Sequence, residues 1–336
     1  MSTLSLADLT KRVADTFLAH GCSHEAAASV ARALVTAEAD GLKGHGLSRV
    51  PTYLAMVKSG KIDGKAKPKS SNPRPGVLSI DAAKGFAYPA IDLALAELPA
   101  LAAKQGIAVA AIGNSNHCGA AGLPCEALAK KGLVALLFAN TPSAMAPWGG
   151  REPVFGTNPI AFAAPLEGRE PAVVDLALSK VARGPIVAAK QKGESIPEGW
   201  ALDADGQATT DPVKALQGTM IPLGDAKGAA LAFMVEILAA CIPGAHLAFE
   251  ASSFLDDKGG PPLTGQLLLA IDPAGFGHGR FGERMAALVA AIERQQSTRL
   301  PGARRLANRA KAEREGLAIP KEIESVLTEG AVSAKV

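Results

Sequence analysis

The residues of this chain best suited to chemistry lie between Gly41 and Lys58, in GLKGHGLSRVPTYLAMVK. His45 and Arg49 stand four residues apart at the opening of a helical pattern, a spacing that puts both on one helix face. An imidazole able to give up a proton then sits one turn from a guanidinium able to grip a carboxylate with two parallel hydrogen bonds. A solvated helix start presents the same spacing, so the pair gains meaning only if other elements supply a wall, a cofactor and a lid.

The most regular segment is a candidate for that supply. Ile107 to Ile112 is a short apolar strand, 113–119 (GNSNHCG) a polar glycine-bearing loop, Ala120 to Lys131 a helix, and Leu133 to Phe138 a second apolar strand. Strand, loop, helix and strand make a crossover unit whose strands should be parallel and buried. The loop lies where α/β sheets hold ligands, beside the free N–H groups of a helix start. His117 and Asn116 are its best-placed side chains, although asparagines in such a loop also serve simply to make turns.

The remaining elements must position these two. Residues 4–39 read as two amphipathic helices, with Ser5 and Asp8 as a capping box and Ser23 as the second cap. Residues 60–75 read as a surface connection and Val77 to Ile80 as a strand. Ile91 to Lys104 reads as a helix, and Asn140 to Pro165 as a long loop ending in a strand. Val173 to Ala177 ends another strand, which Ser179 to Lys190 is expected to continue through Arg183 and Gly184. Gly193 to Gly218 looks like a surface excursion anchored by Trp200, and Ala229 to Cys241 like a central helix, apolar nearly all round. Residues 266–271 form a strand, and a charged helix closes the chain.

Several classes are excluded or disfavoured. A net charge of +3 without a basic aromatic patch does not suit nucleic acid. Cys22, Cys118, Cys125 and Cys241 are scattered and show no zinc spacing, so no metal is expected and free thiols in a reducing cytoplasm are. No apolar run approaches the roughly 20 residues that span a bilayer. Gly277, Gly279 and Gly282 fit G-x-G-x-x-G after a strand and before a helix. That helix, however, leads to STRLPGARR, with neither the next strand nor an acidic residue at its end, and a Rossmann reading fails there.

Taken together, GHGLSR (44–49), GNSNHCGAAG (113–122), APWGGREPVFGTNPIAFAAP (146–165), VVDLALSKVARG (173–184), DAKG (225–228) and RLPGARR (299–305) resemble the malate/L-lactate dehydrogenase family that lacks a Rossmann fold. That family includes Δ1-pyrroline-2-carboxylate/Δ1-piperideine-2-carboxylate reductases and sulfolactate dehydrogenases. The resemblance implies an α/β fold: a cofactor domain (76–295) around a mixed, largely antiparallel sheet, a helical part at 1–75 carrying His45, and a C-terminal helical part at 296–336 returning to it. It implies NADPH or NADH as cofactor, a small 2-imino or 2-oxo acid as substrate, and a homodimer. His45 would be the proton donor and Arg49 the carboxylate ligand, with Thr157, Arg183 and Gly184 facing the substrate. His117, Cys118, Gly119, Ala120, Ala121, Asp175, Leu176, Ala177, Ala226, Lys227, Pro301, Gly302, Arg304 and Arg305 would lie along the cofactor.

Two positions depart from the family pattern. Family members often carry Ser before the histidine and Asp shortly after the ARG-like segment, as a relay that orients the imidazole; here these are Gly44 and Pro185. Either something else orients His45 or proton donation matters less. Hydride transfer to C=O leaves an alkoxide that needs a proton, whereas transfer to a protonated C=N leaves a neutral amine. The missing relay therefore points to reduction of Δ1-pyrroline-2-carboxylate to L-proline, with Δ1-piperideine-2-carboxylate as its larger homologue. A 2-hydroxy-acid dehydrogenase is the alternative, and a non-catalytic binding protein a further one.

Overall fold

The computed structural model describes residues 3–333. A short strand β1 (Thr3–Leu4) leads into α1 (Leu6–Ala19) and α2 (His24–Ala39). Ser5 Oγ accepts from Asp8 N and Ser23 Oγ from Ala26 N, so both expected caps are made. Two 3₁₀ turns and α3 (Val50–Lys58) follow, then the edge hairpin β2 (Lys69–Arg74) and β3 (Val77–Asp81). The crossover comes next: α4 (Ala87–Gln105), β4 (Ile107–Ser115), α5 (Gly122–Ala129) and β5 (Val134–Ala139).

β6 (Ile160–Leu166) and β7 (Arg169–Leu176) complete one side of the sheet. After them, α6 (Arg183–Lys192) is a helix where a continuing strand was expected; the strand is broken off after a single bridge from Ser179 to Pro222. The expected surface excursion is a small folded unit. Its strands β8 (Ala201–Leu202), β9 (Ala208–Thr209) and β10 (Thr219–Met220) pair, with α7 (Pro212–Gln217) between the last two. Ile196, Ala201 and Ala215 are buried inside it, while Trp200 is only partly so. Then come α8 (Ala226–Glu236), β11 (Thr264–Ile271), α9 (Phe281–Glu293), α10 (Ala303–Glu315), β12 (Leu317–Ala318) and α11 (Lys321–Ser333).

The main sheet has the order β2-β3-β4-β11-β5-β6-β7, and only β3–β4 is a parallel pair. β4 and β5 run parallel as the crossover demands, but they are not neighbours. β11 lies antiparallel between them, with Leu268 opposite both Ala110 and Leu137. Alternate residues of each strand enter different cores: Ala108, Ala110, Ile112 and Leu268 pack under α4 and α5, while Leu267 packs with Ala232 and Val235 of α8. Strands covered on both faces must be apolar throughout, which is why these read as continuous runs. A third core joins α1, α2 and α3 to Ile319, Ile323 and Leu327 of the C-terminal region, where β1 pairs with β12.

α8 is not central, as its composition suggested. One side reaches the sheet, but Leu231, Phe233, Met234 and, just beyond it, Ile237 are 37–58% exposed. Among the described residues no helix is long and apolar enough to cross a membrane. The G-x-G-x-x-G stretch forms a 3₁₀ turn at Gly277–Gly279 and the start of α9.

Candidate active site

His45 and Arg49 do not share one helix. α2 ends at Asp40 and Gly41, the latter at φ +80°, and the chain then makes 3₁₀ turns at Lys43–His45 and Leu47–Arg49, broken by Gly46. The break is enforced. Glu38 Oε2 accepts from Leu47 N at 2.9 Å, and a Cβ on Gly46 would lie 2.2 Å from that oxygen. Arg49 folds back, donating from Nε to Gly44 O (2.7 Å) and from Nη1 to Phe254 O (3.3 Å). This fixes the guanidinium through Nε and Nη1.

His45 stacks on His117, ring centroids 5.3 Å apart and planes 23° apart. The N-terminal turn and the loop after β4 therefore meet. Among the described residues His45 Nδ1 is buried without a hydrogen-bond partner, and the ring packed on it is that of His117. A Cβ on Gly44 would meet nothing within 4 Å, so no steric need excludes a side chain there. Pro185 is exposed in the first turn of α6. Burial, then the charge of Arg49, pushes the His45 imidazole down to about 4. The same two causes and the His45 ring hold His117 well below its ordinary value, so both rings are neutral at pH 7.

His117 is wired into the interior. Its Nδ1 is 2.6 Å from Tyr53 Oη, which is 3.0 Å from Tyr88 Oη. Two orientations of this chain are chemically consistent. If each hydroxyl donates toward the ring, His117 carries its proton on Nε2; if the ring donates, Nε2 is an acceptor. The phenols can thus accommodate either neutral tautomer by turning their hydroxyls. Burial pushes Tyr53 up to about 12, so both stay protonated. Phe254 closes the other side, its ring 5.1 Å from that of His117. Tyr88 and Cys118 also line a cavity of about 240 Å³ between α2, α4 and α5.

The segments expected to meet a cofactor converge on one stretch, 173–179. Val173 N donates to Pro301 O at 3.2 Å, and a Cβ on Gly302, at φ +86°, would crowd Val173 O at 3.2 Å. Asp175 Oδ2 accepts from Gly122 N at the start of α5 (2.7 Å). Leu178 N donates to Thr157 O, and Leu223 N to Leu178 O, which sets the start of α8 with Ala226 and Lys227 alongside. His117 to Ala121 precede Gly122 directly. Thr157 is tied through its N–H to Thr141 Oγ1. Arg183 and Gly184 begin α6 on the surface; the hydrogen bond Arg183 makes goes to Leu216 O, and no contact joins either to His45, Arg49 or His117 among the described residues.

Of the arginine pair after Gly302, Arg304 is exposed and Arg305 turns inward. Arg305 and Arg309 form an ion cluster with Asp40 and Glu126 at 2.6–2.9 Å, with both carboxylates nearly inaccessible. Burial alone would raise the Glu126 carboxyl, but Arg309, Arg305 and Lys130 outweigh it and hold the group at about 2. A carboxyl lowered by folding stabilises the fold above its unfolded value, and that contribution fades as pH falls from about 4.5 toward 2. Replacing Arg309 by Met leaves two buried carboxylates sharing one guanidinium, with only Lys130, on Glu126, to help. The expected cost is about 3 kcal/mol, read as a lower Tm at pH 7, with the difference from wild type narrowing in acid.

Sequence reasoning missed Tyr53, Tyr88, Phe254, Glu38 and Lys61. Tyr53 alone left a trace, standing one turn after Arg49, and it shares with Tyr88 the distinction of being one of only two tyrosines in the chain. Among the described residues no group of His, Cys, Asp and Glu could hold a metal ion.

A mixed, mostly antiparallel sheet without a Rossmann fold thus carries paired imidazoles beside an arginine anchored on two carbonyls. The family model for malate/L-lactate dehydrogenase matches residues 4–328, and the chain belongs to that family. It is 51% identical over 305 residues to a (2R)-3-sulfolactate dehydrogenase (NADP(+)) of Chromohalobacter salexigens, covering 90% of each chain. It is 43% identical over 311 residues to a Δ1-pyrroline-2-carboxylate/Δ1-piperideine-2-carboxylate reductase of Pseudomonas putida, covering 91% of this chain and 90% of the other. The crystal structure of Δ1-piperideine-2-carboxylate reductase from Pseudomonas syringae superposes with a TM-score of 0.93 at 38% identity, over 98% of this chain and 100% of that one.

Proposed function

We propose that the protein is an NADP(H)-dependent dehydrogenase interconverting a 2-hydroxy acid and its 2-oxo acid, with 3-sulfolactate the first substrate to test. The observation that carries this reading is the 51% identity, over nine-tenths of both chains, to the sulfolactate dehydrogenase. The site suits it. Arg49, fixed by Gly44 O and Phe254 O, holds the carboxylate, which places C2 and its oxygen beside His45 and His117. In the oxidative direction a neutral imidazole takes the hydroxyl proton as C=O forms; in reverse it returns the proton to the oxygen.

The dinucleotide fits against His117 to Ala121, Asp175 to Ala177, Ala226, Lys227 and Pro301 to Arg305. Arg305 Nε and Nη2 are buried donors with no hydrogen-bond partner among the described residues. Burial raises the Asp175 carboxyl, and the Gly122 N–H and then the charge of Arg305 offset part of that rise. Arg304, exposed beside them, is the cation available to a 2′-phosphate. When bound, the nicotinamide supplies the hydride acceptor for C2.

The cyclic imino acid is the second reading, and one observation favours it. Two neutral imidazoles are weak acids, and a protonated C=N asks for no proton at all. Steady-state rates decide: 3-sulfolactate with NADP⁺ against Δ1-pyrroline-2-carboxylate with NADPH. A higher kcat/KM on the hydroxy acid is expected. A higher value on the imine reverses the order, and turnover of neither rejects both.

The exposed apolar run of α8, continued by Ile242 and Phe249, suits a second copy of this chain, which would make the enzyme a homodimer. Phe233→Glu is expected to shift the mass by light scattering from dimer to monomer; an unchanged dimer would remove this face from the interface.

A further inference from the structure

Lys61 is a lysine whose side chain has no solvent exposure. It leaves the chain just after α3, and its ammonium enters the loop 253–258. There Nζ donates to Ser253 O (2.7 Å), Asp256 O (3.1 Å) and Lys258 O (2.7 Å), with Asp256 Oδ1 at 3.8 Å. An ammonium has three protons, and each finds a carbonyl. Burying a cation is costly unless every donor is met, so this arrangement is built rather than incidental. Three carbonyls of one short loop converging on a point would otherwise repel one another. The same donor set suits a free potassium or ammonium ion; here the cation is tethered to the opposite half of the molecule.

The loop it gathers is the wall of the site. Phe254 lies between the carbonyls of Ser253 and Asp256; its ring covers His117 and its own carbonyl accepts from Arg49 Nη1. Leu255 N donates to Ser253 Oγ and Lys258 N to Asp256 Oδ1, so the loop has only short local bonds of its own. Nothing in the function proposed above uses Lys61. We propose that Lys61 is a positioning residue, an internal cation around which 253–258 folds, setting Phe254 against His117 and Arg49. The catalytic consequence rests on the reading of Arg49 and His117 as the substrate site; the structural one does not.

Lys61→Met keeps the volume and removes the charge; Lys61→Ala leaves a carbonyl-lined gap. In Lys61→Met, KM for the acid substrate should rise and kcat fall, together by about 10- to 100-fold in kcat/KM, the scale of a small misplacement of a site wall. In Lys61→Ala, ammonium chloride should restore activity saturably, with sodium chloride as control, while wild type and Lys61→Met do not respond. The double variant Lys61→Met/Phe254→Ala should be no worse than the weaker single one. A second readout needs no turnover. His117 is shielded by Phe254, so its modification by diethyl pyrocarbonate, followed by peptide mass spectrometry, should quicken in Lys61→Met. In Lys61→Ala, ammonium should slow it again. An inactive wild type with these reactivity changes would reject the enzyme reading and keep this one. Wild-type kinetics and wild-type His117 reactivity in Lys61→Met, additive losses in the double variant, no ammonium response in a folded Lys61→Ala, or failure of Lys61→Met to fold would each overturn it.

Discussion

Arg49→Ala is expected to raise KM for the acid substrate by roughly 30- to 1000-fold while kcat changes by only a few-fold, the range for removing one partner of a desolvated charge pair. The guanidinium is fixed by two backbone carbonyls, from Gly44 and Phe254, and the proposed role gives its other edge to the substrate carboxylate. Arg49→Lys should recover part of the affinity and no more, because an ammonium restores the charge without the two-pronged geometry. Cofactor affinity, titrated by NADPH fluorescence, should stay within a few-fold of wild type. Loss of cofactor binding with substrate KM unchanged would show that Arg49 belongs to the other ligand.

His45→Ala should do the opposite, lowering kcat by about 10²- to 10⁴-fold with KM nearly constant. His117→Ala should be comparable, and the double variant little worse than either, since stacked rings serving one proton act as a unit. The pH profile carries a further test. An imidazole is neutral above its pKa, so His45, lowered by burial to about 4, is ready to accept a proton across the neutral range. The kcat/KM for oxidation should therefore show no histidine step between about pH 5 and 8, whereas an ordinary imidazole would titrate near 6.5. A step near 6.5 that disappears in His45→Ala would place that ring in water. Wild-type turnover in both single variants would show the site to be elsewhere.

Much of this arrangement was legible in the chain, for physical reasons. Helix caps and amphipathic spacing are local, so Ser5, Ser23 and the α1–α2 pair could be read directly. Resemblance carried the largely antiparallel sheet and the family. What escaped depends on distant partners. Nothing near Ile107 to Phe138 says that β11 will slip between β4 and β5. The 3₁₀ break at Gly46 is imposed by Glu38, one helix away, so a pair that reads as i,i+4 sits instead on two turns. α8 looked central because apolar residues surround it; composition does not say which of its apolar faces the chain itself covers. Arg305 was expected to lie along the cofactor beside Arg304, but its pairing with Asp40 and Glu126, far off in sequence, could not be read from the residues around it.

The pair of phenols behind His117 gives the protein a spectroscopic label of its own. Since Tyr53 and Tyr88 are its only tyrosines, every tyrosinate absorbance change in an alkaline titration originates beside the paired imidazoles, with no surface phenol to dilute it. While the interior is closed, burial pushes Tyr53 up to about 12 and Tyr88 up as well, so the signal should rise only well above the ordinary phenol range. Its early appearance would time the breaching of this one pocket, separately from the melting of the rest.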